Sequence, residues 1–295
     1  MAEKLAAAYG HAKPKAIINW AGQVWSFKEA IKPNDLVVLP LKTRSALAIG
    51  AIAGAYEYVP DNPDFARHTR KVSWIRDDIP RASVDQDLLY SLGAFLTVCR
   101  ISRNNAEERI KALLAGAPQP AAPDATTEAG AESAGLVNLE EQAQDQIRFF
   151  INSKFKGHGL ASLVTAVLKA QGYQIYQSPP GADGGVDVIA GKGPMGFDPP
   201  RLLVQVKSQQ DPVDVRVLRE LQGVMRGYGA EQALLVAWGG FKNAVIDEAR
   251  RRFFEIRLWD AGDLVTAITE NYDRLPAEIK AELPMRRIWA VVPEE

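Results

Sequence analysis

The chain has 295 residues, 47% hydrophobic and 24% charged, with a formal net charge of −1. That length favours two domains over one, and the composition excludes a disordered or collagenous chain. The lone cysteine, Cys99, excludes an internal disulfide, no run of about 18 apolar residues offers a membrane span, and the N-terminus reads without a signal-peptide h-region.

The expectation is a soluble, cytoplasmic protein with no membrane partner. Near-neutral charge does not exclude nucleic acid, because basic residues can gather on one face.

Residues 1–13 are alanine-rich. Residues 15–27 (KAIINWAGQVWSF) read as strand-like, followed by KEAI and a turn at Pro33-Asn34-Asp35. LVVLPLK and ALAIGAIAGAYEYV read as two strands joined through Thr43-Arg44-Ser45, and RKVSWI as a third. VDQDLLYSLGAF has helical spacing with Asp85 near its start, and a second helix runs over residues 104–114. Cys99, after FLTV, reads as a small buried hydrophobe. Short strands, Gly and Pro turns and one or two helices predict a smaller α+β domain over residues 1–114, built on a strongly curved sheet or barrel.

Residues 115–138 contain no aromatic and no basic side chain, which predicts a flexible linker. Residues 139–295 then alternate in the order α-β-β-β-α-β-α-β-α. That order predicts an α/β domain, a mixed sheet with helices on both faces.

The chemistry concentrates in residues 183–207, DGGVDVIAGKGPMGFDPPRLLVQVK. If its two apolar runs pair, Asp187, Gln205 and Lys207 converge. Gln205 and Lys207 are two apart, so on a strand they share a face. A carboxylate, an amide oxygen and the backbone carbonyl of Val206 can together hold Mg²⁺, which takes few protein carboxylates and keeps several waters. Lys207 is then placed to orient a water or to stabilise charge on phosphorus. The plain alternative is that Asp187 opens a strand as a turn residue and Lys207 ends one.

The helix VDVRVLRELQGVMRGYG sets Arg216, Arg219, Gly223 and Arg226 on one face. That face suits either a phosphate backbone or plain solvent. In the front domain, Asn19, Trp20, Gln23 and Trp25 mix aromatic faces with amides, a mixture that can stack a base and read its edge. Core aromatics are the alternative. Arg44, Arg67, His68, Arg70 and Lys71 are candidates for a phosphate path.

DGGVDVIA, then LLVQVK, then VxxLRELxG, preceded by GYQIYQSP and followed by LLVAWGGF and IRLWDAGDLV, resemble the catalytic domain of Mrr-like type IV restriction endonucleases, in the PD-(D/E)xK superfamily. The resemblance spans roughly residues 155–272. It implies a Mg²⁺-dependent endonuclease acting on double-stranded DNA, with Asp187 as the metal-binding aspartate, Gln205 at the usual acidic position and Lys207 as the catalytic lysine. This chain departs from many relatives in one respect: GHGLASLV carries no helix glutamate. His158 stands near that helix start, where metal binding, helix capping and solvent exposure are all open.

More weakly, residues 15–110 are similar to PUA-like folds of the EVE type, some of which bind modified bases. Together the two resemblances imply a modification-dependent DNA endonuclease that flips and reads a modified base, a modified cytosine foremost, and that acts as a homodimer. Two alternatives stand beside it: a nuclease with an unmodified-sequence or structure-specific reader, and a non-catalytic DNA-binding protein on the same fold.

Overall fold

The computed structural model describes residues 2–41, 44–63, 66–92, 97–101, 104–116, 139–179 and 185–289. The expected linker, apart from its first two residues, therefore lies outside the described residues, as do Asp183 and Gly184.

The front domain begins with α1 (Ala2–Ala8) and α2 (Pro14–Trp25), and α2 runs on into a π-helical turn, Ser26–Ala30. Helix α2 corrects the strand expected over residues 15–27. Pro14 occupies the first turn, where its fixed φ suits a helix. Ile17 is buried and Trp20, Ala21 and Val24 are half-buried. That is the i, i+3, i+4, i+7 spacing of a helix face, which outweighs the β-prone composition.

Strands β1 (Leu36–Pro40), β2 (Ala46–Tyr58) and β3 (His68–Pro80) form an antiparallel sheet in the order β1-β2-β3. Leu47, Ile49 and Ile79 pack on Leu88 and Leu89 of α3 (Gln86–Leu92) and on Ile110 of α4 (Ala106–Ala115). Among the described residues the sheet is open, rather than the closed barrel that the PUA-like resemblance implies. Cys99 is exposed, not buried: no core cluster among the described residues recruits it.

The second domain opens with α5 (Leu139–Lys154), α6 (His158–Ala170) and β4 (Gln174–Gln177). It continues through β5 (Val188–Lys192), β6 (Asp198–Lys207), α7 (Val215–Met225), β7 (Gln232–Ala237) and α8 (Asn243–Arg251). It ends with β8 (Ile256–Trp259), α9 (Ala261–Asn271) and an unforeseen α10 (Ala277–Glu282). The sheet order is β4-β5-β6-β7-β8. Strands β4, β5 and β6 pair antiparallel, and β6, β7 and β8 pair parallel.

The central runs LLV and ALLVA are apolar on both faces because helices cover both. Val204 and Leu234 pack toward α5, α6 and α9, whereas Leu203 and Leu235 pack toward α7 and α8. Asp260 caps α9 in a reciprocal capping box with Asp263. Burial, then repulsion by Asp260, pushes the Asp263 carboxyl up to about 6. No helix among the described residues is long and apolar enough to cross a membrane.

Candidate active site

The register Val188↔Val204 sets Asp187 opposite Gln205, so the two side chains share a sheet face with Leu203 and Lys207. Hydrogen bonds on its N–H, its carbonyl and its carboxylate hold Asp187. Its N–H donates to the Val204 carbonyl at 2.9 Å, and its own carbonyl accepts from Ser178 N–H at 2.9 Å. Its Oδ2 accepts from the Val206 N–H at 2.7 Å. The sequence motif thus closes on itself: the carboxylate from β5's start grips the backbone between Gln205 and Lys207.

Gly185 has φ +82, and a Cβ there would lie 2.6 Å from Gln205 Nε2. Only glycine allows both that backbone and that approach. The group that approaches Gly185 is the Gln205 amide.

Gln205 is 3% exposed, and its Oε1 has no hydrogen-bond partner among the described residues. A buried carbonyl oxygen without a donor is costly, and a cation satisfies it. In a strand the N–H and C=O of one residue point to the same edge. The Val206 carbonyl therefore leaves the strand on the side where its N–H meets Asp187.

One carboxylate, one amide oxygen and one backbone carbonyl make a hard-oxygen set suited to Mg²⁺ that keeps its waters. No group of three or more His, Cys, Asp or Glu among the described residues is placed to hold a metal. α6, where many relatives carry a glutamate, opens with His158 and has no acid in its first turn. His158 is exposed, and its Nε2 meets Gln177 Nε2 at 3.2 Å.

The chain beyond Lys207 is held by contacts that the sequence does not reveal. Trp238 N–H donates to the Lys207 carbonyl at 2.8 Å. Gly239 lies so close to the same segment that a Cβ there would collide with the Gln210 carbonyl. Gln210 Nε2 donates to Asn152 Oδ1 of α5 at 2.6 Å. The repeated glycines of AWGG are the one available signal.

Arg216 and Arg219 lie on the exposed face of α7, with Gly223 and Arg226. Arg216 makes a loose 3.8 Å ion pair to Asp214. Asp214 caps α7, and the Arg216 N–H and the Lys242 ammonium hold its carboxyl below the usual range.

The other basic candidates differ from one another. Arg44 is engaged by Asp77 and by Asn243 at the start of α8. Arg70 donates to three backbone carbonyls, of Phe27, Lys28 and Gly54. Lys71 is exposed, in a 3.4 Å pair with Glu57.

In the front domain α2 brings Asn19 and Gln23 together, where Gln23 Nε2 donates to Asn19 Oδ1 at 3.1 Å. Gln23 Oε1 also accepts from Thr97 N–H at 3.0 Å. Trp20 stacks edge-on against Tyr9 at 5.6 Å. Of these four only Trp25, 54% exposed, presents an open ring.

In this mixed sheet the strand register sets Asp187, Gln205 and Lys207 on one face of β5 and β6. Residues 152–268 match the Mrr_cat family, described as restriction endonuclease. Residues 2–91 match a domain of unknown function, DUF8426, so the front domain has no assigned role and the expected EVE-like reader gains no support from it.

No curated protein matches the chain. Among solved structures, the chain is similar to the DNA modification-dependent restriction endonuclease AspBHI, with 18% identity and a TM-score of 0.38, covering 85% of this chain and 60% of that one. It is also similar to MspJI restriction endonuclease in complex with a 27-mer oligonucleotide, with 15% identity and a TM-score of 0.38, covering 84% of this chain and 62% of that one. The chain thus spans about three-fifths of each neighbour's length.

Proposed function

We propose that this protein is a Mg²⁺-dependent endodeoxyribonuclease whose front domain reads a modified base in double-stranded DNA. The observation that carries the catalytic part is the buried Gln205 Oε1, unpartnered among the described residues, opposite Asp187 and two residues from Lys207. Asp187, Gln205 Oε1 and the Val206 carbonyl would hold Mg²⁺, which supplies a more acidic water and polarises the phosphate. Lys207 Nζ directs its hydrogen bonds at the attacking water and at the phosphate oxygen on which charge grows. Arg216 and Arg219 meet the DNA backbone, and their exposure supports that role.

The modified-base part rests on the exposed aromatics of the front domain, Trp25 among them. A single site of this kind cuts one strand, so double-strand cleavage requires two copies and the working form is a homodimer.

The test is Mg²⁺-dependent cutting of matched plasmids, one unmodified and one carrying 5-methyl- or 5-hydroxymethylcytosine. Preferred cutting of the modified plasmid, lost in Lys207→Ala with DNA binding retained, is the expected result. Equal cutting of both plasmids would refute the modification reading. Binding without cutting in the native protein would favour the non-catalytic alternative, for which the missing acid at the start of α6 is the supporting observation.

A further inference from the structure

We propose that the distal half of the β2–β3 hairpin is a stacking platform for an unpaired DNA base, centred on Tyr58, His68 and Tyr56. This rests on the DNA-reading role above and gives that role a different place from α2. β1 pairs with β2 only over Leu36–Pro40 against Leu47–Ala51. Beyond it β2 and β3 run on as a two-stranded ribbon, with Tyr56↔Arg70 and Tyr58↔His68 in register. These four side chains therefore share one ribbon face, while Glu57, Thr69 and Lys71 take the other.

On that face the rings of Tyr58 and His68 lie 5.2 Å apart and those of Tyr56 and His68 5.9 Å apart. The Tyr56 hydroxyl and His68 Nδ1 are 2.8 Å apart, which fixes the middle ring. Phe27 meets Tyr56 edge-on at 6.3 Å. None of the four rings belongs to a core cluster among the described residues. Tyr58 is 53% exposed and His68 is exposed, so the cluster presents ring faces to solvent.

Two basic side chains border the cluster. Arg70 donates to the Phe27 carbonyl at 2.6 Å and the Lys28 carbonyl at 2.8 Å, pinning the π-helical turn to the ribbon. The Lys28 ammonium lies 5.8 Å from the Tyr56 centroid. Rings bordered by Arg70 and by Lys28, the latter also paired with Glu29 at 3.4 Å, fit a base and its flanking phosphates better than an uncharged apolar ligand. A two-stranded ribbon is also narrow enough to enter a DNA groove. The amides of α2, by contrast, are already bonded to each other and to Thr97.

The test uses the full chain carrying Lys207→Ala, so that binding is read without cleavage. The probes are a duplex with one unpaired 2-aminopurine and the same duplex fully paired. Stacking of a base on an aromatic ring contributes about 1–3 kcal/mol. Tyr58→Ala should therefore weaken binding of the unpaired probe by about fivefold or more and restore its quenched fluorescence. Tyr58→Phe should keep both, and the fully paired duplex should lose less than about threefold.

Unchanged binding in both Tyr58→Ala and His68→Ala would overturn the proposal, as would an equal loss on both probes. Because the readout is binding, a failure of the nuclease assignment leaves the outcome interpretable: such a protein would still distinguish the probes through Tyr58.

Discussion

Gly185 shows how much of the site depends on a single missing side chain. Its φ of +82 and the 2.6 Å that would separate an added Cβ from Gln205 Nε2 act together. The left-handed backbone alone costs an alanine about 1–2 kcal/mol, and the clash must also displace the Gln205 amide. Gly185→Ala should leave a folded protein with a lower Tm and a raised Mg²⁺ requirement, checked by thermal melting and by a metal titration of nicking. A variant with the native Mg²⁺ dependence would show that Gln205 does not hold the ion.

Asp263 gives a second prediction at this scale. Its folded pKa of about 6 lies above its ordinary 3.8. A raised acid contributes stability that is fully present below the ordinary value and lost as pH rises through the folded one. Asp263→Asn cannot ionise, so native protein should lose Tm relative to the variant between about pH 4 and pH 6. The side chain still reaches solvent, so screening holds the effect to the order of 1 kcal/mol or less. A pH-independent difference would refute the assignment.

At the scale of elements, most of the second domain is legible in the sequence. β6 and β7 carry apolar runs too continuous for anything but covered strands, and α6, α7 and α9 show helical periodicity. Asp187, Gln205 and Lys207 can be found because a strand's two-residue repeat fixes which side chains share a face.

Helix α2 reads falsely as a strand because Ile17, Ile18, Trp20, Val24 and Trp25 are β-prone types. Their spacing is helical, and tertiary packing of Ile17 decides the outcome. Cys99 escapes the sequence for a different reason: apolar neighbours along the chain do not guarantee packing partners in space.

The pairing of α3 with α4 is hidden in yet another way. Arg109 is 0% exposed and bonds Asp85 at 2.7 Å and Asp87 at 2.5 Å, contacts that no local pattern announces. The Arg109 hydrogen bond holds the Asp87 carboxyl below its ordinary value. Its stabilisation is therefore present above that value and lost as pH falls through the depressed one. Arg109→Met leaves two carboxylates without their partner. Both reach solvent, so the cost should fall below the roughly 3–5 kcal/mol of a fully buried broken pair. A Tm drop of a few degrees, shrinking toward pH 3, is the expected result.

At the scale of the whole molecule the two domains are joined by more than the residues between them. Arg81, at the end of β3, reaches Asp145 of α5 through two guanidinium donors, at 3.1 and 2.5 Å, and Glu141 at 2.8 Å. Arg148 completes the cluster with a 2.7 Å bond to Asp145. Arg81 and Asp145 are 4% and 2% exposed. Ser45 N–H adds a bond to Asp260 at 2.8 Å, so the carboxylate that caps α9 also anchors the front domain. These partners lie 64 and 215 residues apart in the chain, which is why sequence periodicity cannot pair them.

Buried charges of opposite sign from two domains are tolerable only while the domains stay docked, since each alone would lack its partner. A protease site placed within residues 120–135 should therefore leave the two halves co-eluting on size exclusion after complete cleavage. Asp145→Asn leaves the Arg81 and Arg148 guanidinium groups facing a neutral amide in place of the carboxylate. Removing one partner of a buried pair costs about 3–5 kcal/mol, and each 1.4 kcal/mol is a tenfold change in a binding constant. The cleaved variant should thus separate into two species at concentrations where the native halves remain together. Halves that part as readily in the native protein as in Asp145→Asn would show that the linker alone connects the domains.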